Sequence, residues 1–171
     1  MNSDNNGESN DIISVLLIGE NFSGKTAIIQ RIKEDRFYEE DEYYYNGARI
    51  KYEIVFDYKS YLLYFYDIAG SIKYHSITST VILLVYDVTN KESFEALQTF
   101  LIDNRLILKD KLIIVVGTKN DLQGKKEISD IKVKNFAEEN NLLFTTVSSK
   151  TGEGIKTLVN MIINNFLKKT N

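Results

Sequence analysis

The 171 residues include no Cys, no Pro, no Trp and a single His. Without Cys there is no disulfide, no thiolate metal site, no Cys nucleophile and no prenyl acceptor in this sequence. Asn2 after Met1 leaves no myristoylation site. No apolar run approaches the length a membrane-spanning helix needs, and the polar opening MNSDNNGESN is no signal peptide. Twenty-one basic against 24 acidic residues give a net charge of −3, so binding to nucleic acid by counterion release is disfavoured. The missing Pro, beside abundant Asn, Ile, Lys and Tyr, reads as the base composition of the gene. What remains is 43% hydrophobic and 26% charged, close to globular averages, in a length that suits one domain. The expectation is a soluble protein of the cytoplasm.

Residues 1–10 are polar and are expected to form a flexible tail, with one domain over residues 11–171. Apolar runs then alternate with helical periods, the signature of an α/β sheet. IISVLLIG (12–19) reads as a buried strand, and residues 24–37 as a helix turning Ala27, Ile28, Ile29 and Ile32 inward. Runs at 48–57 and 60–67 are close enough to make an antiparallel hairpin. VILLVYDV (81–88) and LIIVVGT (112–118) are buried strands. Between them a helix at 91–104 carries Phe94, Leu97 and Leu101 as its stripe, with Asn90 placed to cap it. A helix near 130–139, a short strand at 142–147 and a helix over 152–168 complete the pattern. The last helix places Ile155, Leu158, Val159, Ile162, Ile163 and Phe166 on one face and closes on Lys168 and Lys169.

GENFSGKT (19–26) matches G-x-x-x-x-G-K-[ST] between a strand and a helix, the setting in which that pattern cradles phosphates. Gly19 and Gly24 allow a backbone approach that a Cβ would block, and the amides from Asn21 to Ala27 would surround the phosphates. Lys25 would reach the β and γ phosphates, and the Thr26 hydroxyl would ligand Mg²⁺. A chance match in a chain of this length has odds of about one in a hundred. Taken alone, this motif specifies only a nucleoside triphosphate.

Two further segments bear on the base. TKND (118–121) and SSK (148–150) fall at the ends of predicted strands, where such sheets bind ligands. Asp121 can accept from both N1–H and the exocyclic amine of guanine, whereas adenine has no donor at N1. The stem of Lys119 can lie along the base, and the Ser148–Ser149 backbone can donate to O6. In order and spacing, GENFSGKT, DIAG (67–70), YDVTNKESF (86–94), VGTKNDL (116–122) and SSKTGEGI (148–155) resemble the motifs of Ras-superfamily small GTPases, the Rab branch most of all.

The resemblance covers residues 11–168. It implies a P-loop fold with a six-stranded, mostly parallel sheet, one antiparallel strand and about five flanking helices, binding GTP or GDP with Mg²⁺. By position, Asp67 would hold Mg²⁺ through water, and the Gly70 amide would meet the γ-phosphate. Phe37 would pack on the base, and Thr118, Leu122 and Lys150 would line its pocket. Lys25 and Gly70 carry the catalytic assignment.

Four departures from the family bear on mechanism. Ser71 follows DIAG where the family has the Gln that orients the attacking water, and it is too short to replace it. An ungapped alignment places Tyr44 where the family has its nucleotide-sensing Thr, and residues 39–50 hold no Ser or Thr. Asn21 and Phe22 occupy positions that Ras fills with glycines. The segment from Ser71 to Val81 is shorter than the family's second switch, so its helix is expected to be truncated or absent.

Other residues have competing readings. Tyr43, Tyr44 and Tyr45 either anchor an effector or cover the sheet edge. Partners are expected there and at Ser71–Thr80. His75 is an unconvincing catalyst, and Arg49 suits a solvated strand start better than an internal arginine finger. Three functions stay in competition. The first is a Rab-like GTP-binding protein with slow hydrolysis, acting in vesicle traffic or signalling and reaching membranes through partners. The second is a pseudo-GTPase that binds nucleotide without switching. The third, an ATP-dependent kinase, would leave TKND and SSK without a task.

Overall fold

A computed structural model describes residues 11–38, 49–67 and 79–170. The expectations for residues 1–10, for Tyr43, Tyr44 and Tyr45, for Gly70, and for Ser71 through residue 78, His75 included, lie outside the described residues.

Among the described residues eleven strands and α-helices follow one another, with a 3-10 turn at Gln123–Lys125 besides: β1 (Asp11–Ile18), α1 (Lys25–Glu34), β2 (Ile50–Phe56), β3 (Lys59–Asp67), β4 (Val81–Asp87), α2 (Lys91–Asp103), α3 (Arg105–Leu108), β5 (Leu112–Thr118), α4 (Asp130–Glu139), β6 (Leu143–Thr146) and α5 (Ile155–Thr170). The six strands form one sheet in the order β2-β3-β1-β4-β5-β6. β1 is parallel to both β3 and β4, β4 to β5 and β5 to β6, while β2 alone runs antiparallel, against β3. The expected hairpin and the single antiparallel strand are both present. Its two-residue turn, Asp57 and Tyr58, holds φ of 50° and 62°, the left-handed pair that matches the twist of the flanking strands.

Alternation along the strands divides the interior in two. Ile13, Val15, Leu17, Leu63, Phe65, Leu83, Val85, Ile114 and Val116 face one side, where α1 contributes Ile28, Ile29 and Ile32 and α5 contributes Leu158, Val159, Ile162 and Ile163. Leu16, Ile18, Ile82, Leu84, Tyr86 and Val115 face the other, against Phe94, Leu97 and Leu101 of α2 and Val133 of α4. Both sheet faces are covered, which is why β4 reads as an unbroken apolar run and every one of its residues is buried. Helices layered on both faces leave the carboxyl ends of β1, β3, β4 and β5 together on one edge, the edge at which sheets of this kind bind ligands.

Several boundaries differ from expectation for identifiable reasons. α1 ends at Glu34, not Phe37, because Asp35 takes a left-handed φ of 52° and its N–H bonds the Arg31 carbonyl. Ala27 is half-buried, so the inward stripe is Ile28, Ile29 and Ile32. α5 starts at Ile155 because Gly152 and Gly154 hold φ of 86° and 74°, outside the helical region. β6 is trimmed to Leu143–Thr146, and the four-residue α3 was not anticipated. Asn90 caps α2 as expected, its side-chain oxygen accepting from the Ser93 N–H at 3.1 Å. No helix among the described residues is long and apolar enough to cross a membrane.

Candidate nucleotide site

The loop from Gly19 to Gly24 leaves β1 and turns into α1. A Cβ on Gly19 would sit 2.1 Å from the Val85 carbonyl oxygen of β4, so only glycine lets β1 exit this close to its neighbour. Gly24 begins α1 with a φ of 91°, beside the Thr118 side chain. Phe22 also holds a positive φ of 62°. It and Asn21 project outward, with Phe22 83% exposed. Ser23 is buried.

Lys25 is 7% exposed and folds back over the loop, its Nζ donating to the carbonyls of Gly19 at 2.9 Å and Glu20 at 2.8 Å. Burial lowers the pKa of its amine, and the carboxylates of Asp67 and Glu20 oppose that shift. The amine sits against the loop it would share with an anion. One residue on, the Thr26 hydroxyl donates to Asp67 Oδ2, joining the start of α1 to the end of β3. Together they pair a neutral and a charged oxygen ligand, the hard donors that Mg²⁺ prefers. Among the described residues no group of three or more His, Cys, Asp or Glu could hold a metal by itself. A cation here would rely on a ligand's own oxygens, which is the usual habit of Mg²⁺ beside phosphates.

The second half of the edge comes from β5 and β6. Thr118 is 2% exposed, and its hydroxyl lies 2.6 Å from the Ser23 carbonyl and 3.1 Å from that of Tyr86, tying the loop after β5 to the loop after β1. Lys119 takes a left-handed φ of 59°, and its Nζ forms an ion pair with Asp87 Oδ2 at 2.6 Å. Asp87 in turn accepts from the N–H and hydroxyl of Thr89 through Oδ1, at 2.8 and 2.7 Å. Asp121 Oδ1 accepts from the Ser148 hydroxyl at 2.6 Å, bringing TKND against SSK across the sheet. Leu122 closes the turn, its N–H reaching the Lys119 carbonyl at 2.9 Å. Ser148 and Ser149 are buried, and Lys150 is exposed on the loop's outer side.

The structure thus brings Gly19, Ser23, Gly24, Lys25, Thr26, Asp67, Thr118, Lys119, Asp121, Leu122, Ser148 and Ser149 to one edge. Ala27 lies within α1, facing neither fully in nor out. Phe37 is 37% exposed, three residues beyond the end of α1. The Arg49 guanidinium lies 4.3 Å from the centre of the Tyr64 ring, a cation–π contact at the start of β2. Sequence reasoning missed Asp87 and Arg31. Asp87 stood inside the YDVTNKESF segment but had no visible partner until Lys119 was placed beside it. Nothing in the local pattern of α1 singled out Arg31.

The sequence profile of the Ras family matches residues 14–168. Ras-related protein Rab-4A of Danio rerio is 29% identical over 153 residues, covering 85% of this chain and 71% of that protein. Human Rab-4A is 29% identical with 70% of its length covered, and human Rab-4B is 28% identical with 71% covered. With the phosphate-loop pattern, the strand order and the profile in agreement over nearly the whole chain, the protein belongs to the Ras family of small GTP-binding proteins, close to its Rab members.

Proposed function

We propose that the protein binds GTP and GDP at this edge and hydrolyses GTP slowly. The observation that carries the reading is the convergence of Lys25, Thr26 and Asp67 with Thr118, Asp121 and Ser148 at the ends of β1, β3, β5 and β6. Lys25 and the amides from Asn21 to Ala27 would hold the phosphates, assisted by the Gly70 amide. Asp121 would accept from the guanine edge, with Lys119, Leu122, Ser149, Lys150 and Phe37 around the base. Thr26 and Asp67 would hold Mg²⁺, which supplies charge neutralisation at the phosphates when bound. Opening the Thr26–Asp67 and Lys25–carbonyl contacts is the rearrangement these side chains would make for a ligand.

In hydrolysis a water oxygen attacks the γ-phosphorus, the bond to the β–γ bridging oxygen breaks, and GDP and phosphate leave. Catalysis of this kind is mostly positioning and electrostatics. The chain keeps the electrostatic residues Lys25, Thr26 and Asp67 but has Ser71 and Tyr44 in place of the water-orienting Gln and sensing Thr. Slow turnover follows from that asymmetry, with the first switch coupled to nucleotide state either weakly or through a tyrosine hydroxyl instead. Family likeness supports a role in vesicle traffic or signalling in the cytoplasm, with membranes met through protein partners that would use the Tyr43–Tyr45 and Ser71–Thr80 segments. The same two substitutions favour a second reading, a pseudo-GTPase that holds nucleotide as a scaffold.

Single-turnover hydrolysis tests both. The protein is loaded with GTP, Mg²⁺ is added, and GTP and GDP are quantified against time. Conversion over minutes to hours supports the slow GTPase, whereas GTP intact after days supports the scaffold. Tight ATP binding with weak GTP binding in competition would remove both.

A further inference from the structure

We propose that Arg31 is a positioning residue for the purine base, although no atom of it belongs to the loops assigned to the nucleotide. Its side chain is 13% exposed and lies on α1, six residues after Lys25. Nε donates to the Ser149 carbonyl at 2.6 Å and Nη2 to the Lys150 carbonyl at 2.6 Å. Nη1 donates to the Asp35 carbonyl at 2.8 Å and lies 3.3 Å from its carboxylate. A Cβ added at Gly152 would lie 4.0 Å from Arg31 Cδ and Nη1, so the fork runs beside this loop.

Two consecutive carbonyls facing one planar donor fix the plane of the peptide between them, because a guanidinium presents its N–H groups in a rigid fork. That peptide belongs to the segment whose other side would present amides to the 6-oxo group of guanine. The loop has further ties of its own: Ser148 N–H bonds the Glu153 carbonyl at 2.9 Å, and Gly152 N–H bonds that of Ser148 at 2.8 Å. These close the loop on itself. Arg31 ties it to α1, the helix that carries Lys25 and Thr26 at its start. With Asp35 on the same fork, the end of α1 that leads toward Phe37 shares this anchor. Base and phosphate contacts are therefore held in one frame by a residue 118 positions from its acceptor in sequence.

This inference rests on the guanine-nucleotide reading, and the test separates the two. Dissociation constants for GDP, inosine diphosphate and 2-aminopurine riboside diphosphate are measured by competition with a fluorescent GDP on wild type, Arg31→Ala and Arg31→Lys. Thermal melts confirm that each variant is folded. GDP and inosine diphosphate both carry the 6-oxo group, and Arg31→Ala should weaken both by about 10- to 100-fold, the range for losing charge-assisted hydrogen bonds. The 2-aminopurine nucleotide lacks both the 6-oxo group and the N1–H, so it binds wild type more weakly from the outset, and Arg31→Ala should change its affinity by a much smaller factor. Arg31→Lys keeps the charge without the fork and should restore only part of the affinity, and it carries the test alone if the Ala variant does not fold. Equal weakening of all three nucleotides, or no weakening, overturns the positioning role. A wild-type protein that does not hold GDP overturns the nucleotide reading itself.

Discussion

Replacing Thr118 with Val isolates the bond that joins the two halves of the site. Val keeps the shape and the β-branched preference for a strand, so packing beside Gly24 and the propensity of β5 change little. The change removes the hydroxyl that sits 2.6 Å from the Ser23 carbonyl. One hydroxyl hydrogen serves one acceptor at a time, and the Tyr86 carbonyl at 3.1 Å is the more distant of the two. Ser23 is 1% exposed and Thr118 2% exposed, so water does not readily replace the lost donor. Leaving a buried acceptor without its partner costs about 1–3 kcal/mol. For a chain of this size each kcal/mol lowers Tm by roughly 2–4 °C, which gives a fall of about 2–12 °C. Urea denaturation should show a lower midpoint at unchanged slope, because the exposed surface on unfolding is the same. Thr118→Ser keeps the hydroxyl and should retain most of the stability. The reasoning fails if the Val variant lies within about 0.5 kcal/mol of wild type, the range of an inert substitution. It fails equally if Ser loses as much as Val, since the hydroxyl would then not be the cause.

Two further predictions concern the packed centre. Tyr86 is fully buried, its ring meets Phe94 edge-on at 5.2 Å, and its hydroxyl has no hydrogen-bond partner among the described residues. Tyr86→Phe should therefore be neutral or stabilising by up to about 2 kcal/mol in urea denaturation. Burial, with the Asp130 charge adding to it, pushes the Tyr86 phenol up from its ordinary value. The unfolded phenol ionises near pH 10, roughly, while the folded one keeps its proton, so the unfolded state binds fewer protons and stability falls as pH rises. Between about pH 10 and 11.5, wild type should lose up to about 1.4 kcal/mol per pH unit from this group, a component absent from the Phe variant; parallel pH profiles would contradict it. Gly19→Ala would drive a Cβ to 2.1 Å from the Val85 carbonyl and should cost about 3 kcal/mol or more, whereas Gly124→Ala, with nothing within 4 Å, should melt as wild type does. Equal melting temperatures for the two alanine variants would refute the close-approach argument.

Patterns confined to a few neighbouring residues were legible without coordinates. Alternation and helical periods located the six strands and the four longer helices, because each apolar face must be buried wherever it ends up. The GENFSGKT spacing also announced the loop, since its glycines answer a local demand of the backbone. The Asn90 cap likewise depended only on residues three apart. What escaped were outcomes set by distant chain. α1 stops at Glu34 because Asp35 turns left-handed, where the Arg31 fork gathers it with carbonyls more than a hundred residues away. Lys119 rests on Asp87 and Asp121 on Ser148, although sequence reasoning could aim both only at a base. The sequence by itself determined which elements form and which chemical groups are available at their ends. Tertiary structure decided which of those groups meet, because hydrogen bonds and ion pairs act over a few ångströms and only the closed sheet brings β1, β3, β5 and β6 that near.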